Sequence, residues 1–154
     1  MHNAEQVQFE KFNASDYRVA IVVSQFNREV TERLLEGALK MFKTYKLQDS
    51  LIKIYRVAGC VEIPVILKGL AENKQYDCLV AIGAVVRGET PHFDYVAKIV
   101  SEGILKIMLN FGIPVGFGIL TTDNIKQAQA RTSVGGAAVE AALQNARLLK
   151  EIAR

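Results

Sequence analysis

Residues 87–96 read RGETPHFDYV and follow the apolar run CLVAIGAVV. Arg87, Glu89, Thr90 and His92 fall within six positions, and the chain's other histidine, His2, lies at its start. Side chains of these types can hold a phosphate and move a proton near neutral pH. Pro91 suits the first position of a helix, where its missing N–H would have had no partner. Thr90 is then the N-cap and His92 the second helical residue. A helix start carries about half a positive charge, which favours a bound anion and the uncharged form of an imidazole. An arriving phosphate would make that imidazole a better base. Gly88 leaves room for a ligand against the backbone, Arg87 adds positive charge, and Asp94 offsets the helix dipole. Taken alone, the segment reads more simply as an ordinary Thr-Pro helix opening.

The segment needs elements to hold it. YRVAIVVS (17–24), LIKIYRV (51–57), CLVAIGAVV (78–86) and PVGFGIL (114–120) read as strands, the third apolar on both faces as a central parallel strand must be. Helical periodicity covers 31–45, 62–73, 93–111, 123–131 and 136 to the end. In the third helix Phe93, Val96, Val100, Ile104, Ile107 and Phe111 form one stripe. Strands alternating with helices give one domain over 1–154: a parallel sheet with helices on both faces. Residues 1–16 form an N-terminal extension, and its first dozen residues are assigned a short extra strand.

Ligands of open parallel sheets sit beyond the carboxyl ends of the strands. The segments leaving those ends are SQFN (24–27), AGCVEIP (58–64), VRGETPH (86–92) and LTTDN (120–124), and they converge on one rim. Phe26 either stacks on a flat ring or anchors its loop against the core. Glu62 either binds a sugar hydroxyl or favours its own helix N-terminus. Arg131 ends a nine-residue helix that starts at the rim, roughly 13 Å away. It either serves a neighbouring subunit's site or is an ordinary cation at a helix end.

Other functions are disfavoured. Nineteen Lys and Arg against sixteen Asp and Glu give a net charge of +3, with no basic run suited to nucleic acid or an anionic membrane. Cys60 and Cys78 form no CxxC pair, which points to a reducing, cytoplasmic setting. The start, MHNAEQVQFEKF, reads as no signal peptide, and no apolar run nears the ~18 residues of a membrane span. Half the residues are hydrophobic, a share that suggests apolar surface covered by another subunit.

GAVVRGETPHFDYV (83–96), PVGFGILTTDNIKQAQAR (114–131), VAGCVEIP (57–64) and SQFN (24–27) together resemble the lumazine synthase family of riboflavin biosynthesis. The likeness is colinear from Tyr17 to Arg131. It implies a flavodoxin-like sandwich on a four-stranded parallel sheet, homopentamers with active sites between subunits, and no metal or organic cofactor. The implied reaction condenses 5-amino-6-(D-ribitylamino)uracil with 3,4-dihydroxy-2-butanone 4-phosphate to 6,7-dimethyl-8-ribityllumazine, releasing phosphate and water. By the same resemblance Phe26 stacks on the pyrimidine, Cys60, Val61 and Glu62 bind the ribityl chain, and Ala84, Val85 and Val86 present backbone to the uracil edge. Glu89 and Thr90 cradle the phosphate and His92 shuttles protons. Phe117 and Arg131 come from the neighbouring subunit, Arg131 pairing the phosphate. Riboflavin synthase is a candidate partner.

Two departures stand out. AGCVE replaces the family's usual P-G-A-F-E, so a proline and an aromatic are missing beside the ribityl chain. RTSVGGAAVEAA lacks the lysine-bearing turn K-A-G-N-K-G, which in the family sets whether pentamers build an icosahedral shell. The pentamer is therefore expected, and whether pentamers pair into decamers or build a shell stays open. A carrier of lumazine or flavin on the same fold, without turnover, is the alternative function.

Overall fold

The computed structural model describes residues 7–154. Strands and helices alternate as β1 (Val19–Ser24), α1 (Arg28–Thr44), β2 (Ile52–Val57), α2 (Ile63–Glu72), β3 (Cys78–Val86), α3 (His92–Phe111), β4 (Val115–Thr122), α4 (Ile125–Gln129) and α5 (Val134–Ile152). Short 3-10 turns at Asp49–Leu51 and Cys60–Glu62 precede β2 and α2. The strands form one parallel sheet in the order β2-β1-β3-β4. This is a flavodoxin-like three-layer sandwich whose strand order reverses between β1 and β3.

Side-chain alternation along the strands builds two cores. Val19, Ile21, Val23, Val80 and Ile82 face α1 and α5, meeting Leu34, Phe42 and Val139. Ala20, Val22, Leu79 and Ala81 face α2 and α3, meeting Leu67, Val100 and Ile104. β1 is buried throughout, because both its faces and both its edges are covered. β2 is an edge strand and leaves Ile54 and Tyr55 about 40% exposed. α1 and α5 approach backbone to backbone at Gly135, where any Cβ would collide with the Leu34 carbonyl.

The predicted α3 stripe holds. Val100, Ile104 and Ile107 are buried, and Phe93, Val96 and Phe111 pack partly buried beside them. The extra N-terminal strand does not appear in residues 7–16, which run without regular structure, while residues 1–6 lie outside the described residues. The segment is occupied otherwise: the Phe12 ring packs 5.6 Å from that of Tyr17 and 5.1 Å from that of Tyr45, and the Ala14 N–H donates to the Tyr45 carbonyl. No helix among the described residues is long and apolar enough to cross a membrane.

Candidate active site

A cavity of about 420 Å³ opens beyond the carboxyl ends of β1 and β3, at the switch point. Four segments line it: Phe26 and Asn27 after β1, Gly59 to Glu62 after β2, Ala84 to Val86 at the end of β3, and His92 with Val96 on α3. A second groove, about 350 Å³, lies against Gly112 to Pro114, before β4 begins, and is almost wholly apolar. Only the first combines an apolar lining with a convergent carboxylate, amide and imidazole, as a small-molecule site requires.

Each wall has a local cause. Asn27 adopts the left-handed conformation, φ 57°, which an asparagine tolerates better than most residues. Its side-chain amide donates to the Ala84 carbonyl at 3.1 Å, tying the β1 loop to β3. Phe26 stands 70% exposed, so it is no core anchor and its ring face is free to stack. Gly59 makes that possible: a Cβ there would sit 3.1 Å from the Phe26 ring and 3.3 Å from the Glu62 carboxylate. Glu62 stands at the N-terminus of α2 and makes no capping bond with its side chain, so its carboxylate both favours the helix dipole and faces the cavity.

Cys60 forms the floor, 5% exposed, with its thiol 3.7 Å from the Ser24 hydroxyl. Burial pushes this thiol above its usual range; bonds from Ser24 and the Ala84 backbone partly offset the effect. The sulfur therefore stays protonated near neutral pH. Gly83 has no side chain because there is no space for one: a Cβ would collide with the Cys60 sulfur and lie 2.9 Å from the Ser24 hydroxyl.

The turn from β3 to α3 differs by one residue from the expectation. Regular helix begins at His92, with Pro91 preceding it at φ −70°. The Thr90 hydroxyl still accepts from the His92 N–H, at 3.4 Å, so the capping role survives in weakened form. Glu89 and Thr90 are exposed on this turn, just outside the cavity wall, and the space beside Gly88 is open. Arg87 departs from its expected role. Its Nε bonds Asp123 at 3.0 Å, its Nη1 lies 3.5 Å from Asp94, and its guanidinium stacks 4.4 Å from the Phe93 ring centre. The charge assigned to a ligand is matched by two carboxylates.

Phe117 and Arg131 do not line the cavity. Phe117 lies opposite Ala81 on the edge strand β4, 43% exposed. α4 is shorter than expected, five residues capped by the Asn124 side chain, so its rise is roughly 8 Å. Arg131 stands past its end and donates to the Gln127 carbonyl at 2.8 Å. Asn27, Gly59 and Val96 complete the cavity without having been assigned to a site from the sequence, where Val96 was read only as part of the α3 stripe. Asn27 alone carried a signal, as a left-handed-tolerant amide ahead of a helix.

Comparison with known proteins agrees with this geometry. Residues 16–150 match the family described as 6,7-dimethyl-8-ribityllumazine synthase. A 6,7-dimethyl-8-ribityllumazine synthase of Helicobacter acinonychis (strain Sheeba) is 48% identical over 114 residues, covering 74% of this chain and 73% of that one. With a cavity at the flavodoxin switch point, a histidine at its α3 wall and this extent of similarity, the chain belongs to the 6,7-dimethyl-8-ribityllumazine synthase family.

Proposed function

We propose that the crevice at the β1/β3 switch point is the catalytic site of this enzyme and that an adjoining protomer completes it. The chain condenses 5-amino-6-(D-ribitylamino)uracil with 3,4-dihydroxy-2-butanone 4-phosphate to 6,7-dimethyl-8-ribityllumazine in riboflavin biosynthesis. The observation supporting the location is the meeting of Phe26, Glu62, the Ala84–Val86 backbone and His92 around one cavity.

In this reading Phe26 stacks on the pyrimidine, and the backbone of Ala84, Val85 and Val86 meets the uracil edge. Cys60, Val61 and Glu62 receive the ribityl chain, the Glu62 carboxylate accepting from its hydroxyls. Glu89 and Thr90 hold the butanone phosphate at the start of α3, where the helix dipole favours an anion. The pyrimidine's 5-amino group attacks the ketone and water leaves as the imine forms. Phosphate is then eliminated. The ribitylamino nitrogen closes the ring on the carbonyl so generated, expelling a second water. His92 carries protons between these steps, and holding two substrates together supplies much of the acceleration. The chemistry calls for no metal or organic cofactor.

Phe117 and Arg131 serve a neighbour's cavity, Arg131 pairing the phosphate. Exposed apolar surface supports such contacts: Tyr95 and Leu109 on α3 are 66% and 74% exposed, and the edge strand β2 leaves Ile54 and Tyr55 open as well. The assembly is a homopentamer in a cytoplasmic setting, with riboflavin synthase as a candidate partner.

The test mixes both substrates with purified protein and follows lumazine absorbance together with phosphate release. Equal amounts of lumazine and phosphate support the reading. Tight ligand binding without product would point instead to a carrier.

A further inference from the structure

We infer that Arg87 is a positioning residue for the phosphate-binding turn, acting through Asp94 and Asp123 rather than touching substrate. This rests on the reading of that turn, and of Arg131, as phosphate holders. Arg87 opens the turn, and everything it touches lies on the other segments that meet there. Its N–H donates to the Thr122 carbonyl at 2.8 Å, extending the β3–β4 ladder to the turn's first residue. Its side chain then grips Asp123 in the β4–α4 loop at 3.0 Å and Asp94 in the first turn of α3 at 3.5 Å, lying against the Phe93 ring. The five residues Gly88–His92 are thus closed at both ends by one side chain.

The clamp does not stop there. The Asp123 N–H donates to the Gln127 side chain at 2.8 Å, and the Gln127 carbonyl accepts from Arg131, also at 2.8 Å. One continuous set of bonds joins the turn that holds a phosphate in this protomer to the arginine offered to the next. A guanidinium suits the task because it is planar, donates in two directions and stacks on an aromatic face; an ammonium does none of these together. With two carboxylates at 3.0 and 3.5 Å, Arg87 is poorly placed to act as the free cation for a phosphate.

Arg87→Lys keeps the charge and removes the fork, and is the variant to test. The Michaelis constant for the butanone phosphate should rise about fivefold, the scale of an exposed ion-pair network. That for the uracil, and the Tm, should hardly change. Asp123→Asn should act alike, and the double variant should be little worse than either single one. Calorimetric titration with inorganic phosphate gives a readout independent of turnover, and binding should weaken in Arg87→Lys. Unchanged phosphate affinity, equal rises for both substrates, or additive effects in the double variant would each overturn the inference. If the unaltered protein makes no lumazine yet Arg87→Lys weakens phosphate binding, the inference stands and the reaction assignment falls. Failure of the unaltered protein to bind phosphate would sink the reading of the turn as a phosphate holder, and the inference with it, while lumazine formation would still decide the reaction.

Discussion

His92 stands on the exposed first turn of α3, lining the cavity, with its N–H on the Thr90 hydroxyl. Its replacement by alanine should lower kcat about ten- to a hundredfold and leave the fold intact, because proton transfer is only part of the acceleration. An unchanged kcat in steady-state assays would remove His92 from the mechanism. Phe26→Ala should raise the Michaelis constant for the uracil by about fivefold to a hundredfold, as loss of about 1–3 kcal/mol of stacking implies. Since Phe26 is 70% exposed, its Tm should stay put, and a large fall would mark the ring as structural. At this scale the sequence was most informative for side chains whose type restricts their use. It could not decide between two roles for Phe26 or Glu62, because each choice depends on where a loop folds back. Gly59 lies close to both side chains, where a Cβ would crowd the Phe26 ring and the Glu62 carboxylate. Arg87 was misread for a related reason: its partner Asp123 lies 36 positions away.

Elements were legible wherever periodicity was strong. The nine residues of β3 and the stripe of α3 come straight from their apolar pattern. α4 was overextended because IKQAQAR has little apolar rhythm, and the turn that ends it lies in polar residues. Predicting a strand in the first dozen residues failed for residues 7–12, since Phe12 finds its burial against Tyr17 and Tyr45. Contact between helices is the feature least visible in sequence. Gly135 lets α1 and α5 touch backbone to backbone, so Gly135→Ala should cost about 1–3 kcal/mol by overpacking. Thermal melting would check it, and an unaltered Tm would show that the two helices can part freely.

The whole molecule should weaken in alkali. Burial, with the Glu140 bond, lifts the Tyr45 hydroxyl from its ordinary 10.0 to about 12, and burial lifts the Cys78 thiol above its ordinary 9.0. Unfolded chains lose these protons first, so the stabilisation is complete below pH 9 and is lost as pH climbs towards 12. Denaturant midpoints measured from pH 8 to 11 should fall; a flat profile would contradict the buried placement of both groups. Oligomeric state was only half legible, because a single chain shows exposed apolar faces without showing what covers them.

The shared site is the central claim, and mixed assembly tests it most directly. His92→Ala and Arg131→Ala protomers, each with low activity alone, would be unfolded together, refolded and assayed for lumazine formation. If one protomer supplies His92 and its neighbour Arg131, random assembly restores on the order of a quarter of the sites, and activity should rise well above the sum of the separate variants. Co-assembled oligomers with no gain over that sum would show that each chain builds its site alone.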